Sequence, residues 1–273
     1  MFSKSIKDKV VIITGASSGI GLAIAREFSS LGAKVVIASR SEDKLKQIEQ
    51  DLCGKGFEAM AVKTDVTVEA DCKMLVEHAV KRFGRIDVLI NNAGISMRAL
   101  FTEVQLDVLR KLMDVNFWGT VQCTKYALPY LIESHGTLVG ISSVAGFHGL
   151  PGRTGYSASK FAMHGFLESL RIENMKNGLH VLLLSAGFTA SNIRNSALMA
   201  DGSTQGSSPR NESKLMPAEK VAKVLLRAIQ KRKRNKILTV QGKLAALFQR
   251  IVPTVVDWGA YREFAREPDS PFK

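Results

Sequence analysis

The chain has 273 residues, 45% apolar and 23% charged. These values suit one α/β sheet domain with a sizeable core and exclude a low-complexity or disordered chain. The net charge of +13 is uneven: from Arg210 onward 15 basic residues face 6 acidic ones, whereas residues 1–209 carry 23 and 19, which predicts a basic C-terminal face rather than a basic protein throughout.

Met1–Lys9 is short and mixed in charge, so it does not read as a signal peptide. No apolar run approaches the roughly 18 residues that a membrane-spanning helix needs, and the expected location is the cytosol. Strand-like runs follow at Val10–Thr14, Lys34–Ser39, Ala59–Thr64, Asp87–Asn91, Thr137–Ser142, His180–Ser185 and Lys236–Val240. Most are rich in Val, Ile and Leu without polar alternation, the mark of strands buried on both faces. Helices are expected at Ile20–Leu31 (stopped by Gly32), Glu42–Leu52, Glu69–Arg82, Leu106–Glu133, Ser157–Lys176 and Ala218–Arg232, with a bend or break near Pro129. This alternation predicts one α/β domain over residues 1–240: a doubly wound, Rossmann-type parallel sheet of about seven strands with helices on both faces. Residues 189–216 are rich in Ser, Asn and Gly and form a long excursion placed to cover a ligand, with one short helix expected at Ile193–Met199.

The cysteines Cys53, Cys72 and Cys123 are scattered, without CxxC or metal-ligand spacing. A reducing compartment is expected, with neither a disulfide framework nor a metal site.

Two local patterns carry chemistry. The first strand runs into Gly15-Ala16-Ser17-Ser18-Gly19-Ile20-Gly21. Glycines at these positions permit a tight turn, close approach of a pyrophosphate and close helix packing, while the helix start favours an anion. A ligand-free glycine turn is the competing reading. Tyr156 and Lys160 stand at i and i+4, one helical turn apart and on one face. A phenol titrates near ~10, and a neighbouring ammonium lowers that value. Ser142 and Ser143 end the fifth strand, where a hydroxyl can bond a substrate carbonyl or merely cap the strand. After the second strand, Ser39-Arg40-Ser41 stands where an acidic residue would select NAD. The guanidinium of Arg40 suits a 2′-phosphate instead, so NADP(H) is the expected cofactor.

Together these pieces resemble the classical short-chain dehydrogenase/reductase family, from about Lys9 to Val240. Thr14–Gly21 looks like its cofactor loop and Asn91-Asn92-Ala93-Gly94 like its fourth-strand motif, while Asn116, Ser143, Tyr156 and Lys160 fall where its catalytic tetrad lies. The resemblance implies roles. Tyr156 exchanges a proton with the substrate oxygen, Ser143 polarises that oxygen, and Lys160 binds the nicotinamide ribose and depresses the Tyr156 pKa. Asn116 helps to hold a relay water. Asp65 and Val66 border the adenine, and Asn92, Ala93 and Gly94 run along the cofactor, with Gly187 and Thr189 near the nicotinamide. Where the family usually has Pro-Gly after the sixth strand, this chain has Ala186-Gly187, which implies a looser turn before Phe188 and Thr189. Within the family the chain looks similar to a membrane-associated branch that includes dehydrogenase/reductase member 7B and the 11-beta-hydroxysteroid dehydrogenases, on Ser39–Ser41, Ser157–Gly165 and Ala200–Ser203. The family also implies a homo-oligomer.

The expected function is hydride transfer between NADP(H) and a small-molecule carbonyl or secondary alcohol, apolar or lipid-like in view of Phe147, His148, Leu150 and Phe188. His148 reads as a loop residue rather than a catalyst. The alternative is an NADP-binding regulator without catalysis. A nucleic-acid partner is not expected, because no helix-turn-helix, zinc or aromatic RNA-binding signature is present. The region 241–273 joins apolar runs to the basic run Lys231–Lys236. It reads either as packing on the domain or a partner subunit, or as a peripheral membrane contact.

Overall fold

The computed structural model describes residues 5–249, 251–268 and 270–272, so the start of the Met1–Lys9 segment lies outside it. Seven strands form one parallel sheet: β1 (Val10–Thr14), β2 (Lys34–Ser39), β3 (Ala59–Lys63), β4 (Val88–Asn91), β5 (Thr137–Ser143), β6 (His180–Ala186) and β7 (Asn235–Ile237), in the order β3-β2-β1-β4-β5-β6-β7. Every expected strand is present, within a few residues of its expected bounds.

Both faces of the sheet are dry. Val11, Ile13, Val35 and Ile37 meet α1 (Gly19–Ser30), α2 (Glu42–Cys53) and α7 (Ala218–Gln230), whereas Ile12, Val36 and Ala38 meet α3 (Glu69–Phe83), α5 (Gly119–Glu133) and α6 (Thr154–Glu173). Successive residues of one strand point to opposite faces, so burial on both sides demands unbroken apolar runs. Each fully buried Ile or Leu here contributes roughly 1.5–3 kcal/mol. Cys72 and Cys123 are buried and Cys53 is exposed, all as free thiols.

The segment expected as one helix bent at Pro129 is built differently. α4 (Leu106–Met113) passes through a π-helical turn, Asp114–Trp118, into α5, and α5 continues through Pro129. Pro129 and Lys125, whose carbonyl loses its partner, both sit on the exposed side of the helix, where water can satisfy that oxygen. The irregularity falls at Asn116 instead, in keeping with the tendency of π turns to occur at functional sites.

The expected helix at Ile193–Met199 is a run of turns. Its backbone bonds go to neighbouring loops: Leu198 N–H donates to Ser96 and accepts from Arg98 through its carbonyl, and Gln205 N–H donates to Ala197. Two further helices, α8 (Val240–Phe248) and α9 (Pro253–Ala265), follow β7. Among the described residues, no helix is long and apolar enough to cross a membrane.

Candidate active site

The chain runs outward from β1 to β3 and returns to β4 on the other side of β1. This reversal opens a crevice at the carboxyl ends of the strands, where doubly wound sheets bind ligands. A cleft of about 970 Å3 lies there, roofed by the 189–216 excursion and by α8 and α9.

The glycine turn forms one wall. Gly15 and Gly19 adopt φ of +65° and +55°, a conformation that strains side-chain-bearing residues. A Cβ on Gly21 would fall 2.4 Å from the Gly15 carbonyl oxygen and 2.6 Å from Asn92 Nδ2. Gly21 thus serves helix packing and does not line the cleft, whereas Gly15, Ser17, Ser18, Gly19 and Ile20 do. Asn92 fastens this turn to β4: its Nδ2 donates to the carbonyls of Thr14 (2.9 Å) and Gly15 (3.1 Å). The Thr14 hydroxyl accepts from the backbone N–H of Asn92 and Ala93, each at 3.0 Å. Ser39, Arg40 and Ser41 line the far rim, with Asp65 and Val66 beside them, and the Arg40 side chain is exposed.

The other end holds the expected catalytic cluster. The Ser142 hydroxyl is taken up by a hydrogen bond with His164 Nε2 at 2.7 Å, and burial holds that imidazole down to about 4. Ser143 lines the cleft beside Tyr156, and its hydroxyl favours the charged form of the Tyr156 phenol. Burial raises the Tyr156 pKa; Ser143, then the charges of Arg153 and Arg194, oppose the rise. Depression of Tyr156 by Lys160, expected from the i,i+4 spacing, is therefore not the arrangement found. Lys160 is buried, its Nζ donates to the Ile141 carbonyl at 3.0 Å, and burial lowers the amine to about 8.

Asn116 is fully buried and does not line the cleft. Its Oδ1 accepts from Ile95 N–H (2.8 Å) and its Nδ2 donates to Ile95 O (3.0 Å) and Ser159 Oγ (2.8 Å). It clamps the loop after β4 onto α6. A Cβ on Gly94 would stand 3.1 Å from Asn116 Oδ1 and 3.6 Å from Lys160 Nζ, so Gly94 keeps that corner open. Gly187 and Thr189 line the roof end. A Cβ on Gly187 would strike Thr239 at 2.4 Å, so this glycine admits the N-cap of α8 as well as any ligand.

His148, Leu150 and Phe188 line the cleft as expected; Phe147 instead stacks edge-on against His164 at 4.6 Å. Arg153, Arg194 and Arg210 line the cleft from segments around it without having been singled out as site residues, and Lys111, Gln241, Glu263 and Glu267 line it from outside those segments. They come from segments far apart in sequence; Arg194 and Arg210 belong to the 189–216 excursion expected to cover a ligand, whereas nothing local marked Glu267.

Residues 9–201 match the family model for short chain dehydrogenase. The chain belongs to the short-chain dehydrogenase/reductase family. This short-chain dehydrogenase/reductase is 35% identical over 254 residues to dehydrogenase/reductase SDR family member 7B of Danio rerio, covering 90% of this chain and 82% of that one. It is 39% identical over 195 residues to 11-beta-hydroxysteroid dehydrogenase A of Sesamum indicum, covering 71% and 56%. Among solved structures it resembles a short-chain dehydrogenase/reductase of Burkholderia phymatum in complex with NAD, with a TM-score of 0.79, 26% identity and full coverage of both chains. It also resembles an alcohol dehydrogenase of Thermococcus sibiricus complexed with 5-hydroxy-NADP, with a TM-score of 0.75, 25% identity and coverage of 84% and 94%.

Proposed function

We infer that this oxidoreductase uses NADP(H) and acts on the carbonyl or secondary alcohol of an apolar small molecule. The observation that carries the reading is the meeting of Ser143, Tyr156 and Lys160 at one end of a cleft whose other end is the glycine turn. The residues fit a dinucleotide: Gly15 and Gly19 expose backbone at positive φ, and Gly94 leaves the space beside Lys160 that a Cβ would fill. Bound there, the nicotinamide supplies or takes the hydride. Ser143 holds the substrate oxygen, Tyr156 gives that oxygen a proton in reduction and takes one in oxidation, and Lys160 binds the ribose hydroxyls. Asn116 holds the loop beside Gly94 in place and helps to position a relay water. Solved relatives carry either an NADP derivative or NAD, so cofactor choice rests on this chain's own Arg40, with Ser39 and Ser41 at the rim.

The test is NADPH oxidation by the purified protein over a panel of apolar ketones and aldehydes, with Tyr156→Phe as control. Tight NADPH binding without turnover of any compound would favour the regulator reading.

The C-terminal helices support a second reading, peripheral contact with an anionic membrane surface. Leu247 is 56%, Ile251 66%, Val255 68% and Trp258 59% exposed, and they follow the basic run Lys231–Lys236 in sequence. Apolar side chains beside cations suit such a surface. Leu244, Phe248 and Val255 also rim the cleft, which suits an apolar substrate arriving from a bilayer. A second copy of the chain, as in a homo-oligomer, is the competing cover for this face.

A further inference from the structure

The cleft has a second polar end that the hydride chemistry does not use. Arg153, Arg194 and Arg210 line it, with side chains only 12%, 14% and 17% exposed, and Arg98, 8% exposed, joins them through Glu267. The carboxylate buried among them is Glu267, 4% exposed, which faces Arg153 at 3.0 Å, Arg210 at 3.1 Å and Arg98 at 3.7 Å. Glu212 pairs with Arg194 at 2.6 Å and Glu263 with Arg210 at 2.9 Å, but these acids are 33% and 46% exposed. Water screens exposed charge far more than buried charge. Guanidinium stays protonated, so the interior keeps a positive excess. Arg153 feels it: burial foremost, with Arg98 and Arg210 adding, lowers its pKa against the pull of Glu267.

Arg210 is where a cationic donor is left unmatched. Its Nε and Nη1 bond Glu267 and Glu263. Its Nη2 is buried without a hydrogen-bond partner among the described residues, and the guanidinium lies 3.7 Å from the Phe188 ring centre. A buried donor without a partner is costly. His148 lines the same cleft; its ring nitrogens lack hydrogen-bond partners among the described residues, although Nδ1 lies 3.9 Å from the exposed carboxylate of Asp257. The charges of Arg153 and Arg194 reach the Tyr156 phenol, so the cationic wall and the acid/base bound one chamber. Phe188, Phe264, Val252 and Val255 supply apolar lining.

We propose that this end of the cleft is a carboxylate subsite centred on Arg210 and Arg153, and that the substrates are apolar oxo- or hydroxy-carboxylic acids. The proposal names the substrate class of the oxidoreductase reading and rests on it; the test reads binding, so the two fail separately. The whole protein is titrated by calorimetry with octanoate and with octan-1-ol, each with and without saturating NADPH. Octanoate should bind at least about tenfold tighter, the scale of a charge-assisted bond. Arg210→Gln should erase that advantage, and Glu263→Gln, which removes the negative charge that competes for Arg210, should enlarge it; thermal melts establish that both variants fold. Equal affinity for the two ligands, binding of neither, or an advantage unchanged in both variants overturns the proposal. The Glu263 arm decides alone if Arg210→Gln does not fold. Failure to bind NADPH counts against the oxidoreductase reading only, because the carboxylate preference is also read without it.

Discussion

Lys160 Nζ donates to the carbonyl oxygen of Ile141 at 3.0 Å, from one helical turn beyond Tyr156. The ammonium is thus held inside the protein on a sheet carbonyl. Burial brings it down to about 8 from the ordinary 10.5. Between those values an unfolded chain binds more protons than the folded one, so stability rises with pH there, and below 8 the full cost of the buried charge is present. Lys160→Met should therefore raise the melting temperature at pH 7, by about 2–4 °C for each kcal/mol relieved in chains near this size. The gain should shrink toward pH 10. A variant that melts below wild type at pH 7, or a gap that ignores pH, would count against a buried ammonium at this site.

Tyr156→Phe removes the proton carrier and keeps the ring. Turnover should fall at least 10²-fold, in line with general acid–base catalysis, while NADPH affinity stays within about twofold. Burial raises the Tyr156 pKa, so the phenol keeps its proton at neutral pH. Carbonyl reduction should accordingly be flat with pH through neutrality and decline only in alkali. Steady-state kinetics and a cofactor titration read both outcomes.

Arg40→Ala should weaken NADPH by about ten- to a hundredfold, the worth of charge-assisted bonds to a 2′-phosphate, and leave NADH almost unchanged. Calorimetry with both cofactors decides it. Wild-type protein that binds NADH as tightly as NADPH would remove Arg40 from cofactor selection.

Leu247→Glu with Ile251→Glu changes two exposed side chains of the C-terminal region and should leave the melting temperature unaltered. Wild type should sediment with anionic vesicles, less at high salt, and the double variant should stay in the supernatant. If wild type also stays soluble with such vesicles and elutes as a dimer that the double variant loses, the apolar face belongs to a second subunit.

The sheet was legible because β-α-β alternation and strands buried on both faces leave a strong pattern in Val, Ile and Leu. The glycine turn was legible because Gly15, Gly19 and Gly21 each answer a separate steric demand, visible in the positive φ of the first two and the Cβ clash at the third. The path after β6 was not. Residues 193–199 have helical composition, yet Leu198 bonds back to Ser96 and Arg98, and such long-range pairing leaves no local periodicity. The buried Glu267 was invisible for the same reason: its partners Arg98, Arg153 and Arg210 lie 169, 114 and 57 positions away. No break occurs at Pro129, and α5 continues through it, because the cost of proline depends on whether the orphaned carbonyl can reach water, and exposure is not written in a single residue type.

The π turn at Asp114–Trp118 makes this part of the chain sensitive to residue number rather than to residue type. The buried positions Leu112, Asn116, Thr120 and Thr124 step in fours, and on a plain α-helix such a stripe drifts about 40° at each step. The wider turn, bonded i to i+5, takes up part of that drift. Deleting one residue between 114 and 118 would leave a regular helix and an apolar stripe of ordinary appearance. It would also turn everything beyond by about 100°, carrying Cys123, Ala127 and Leu131 off the sheet and Asn116 off Ser159. A shortened relative of this kind would look sound by composition and would lack the clamp beside Gly94, so alignments of this family are best judged at this turn by length before identity.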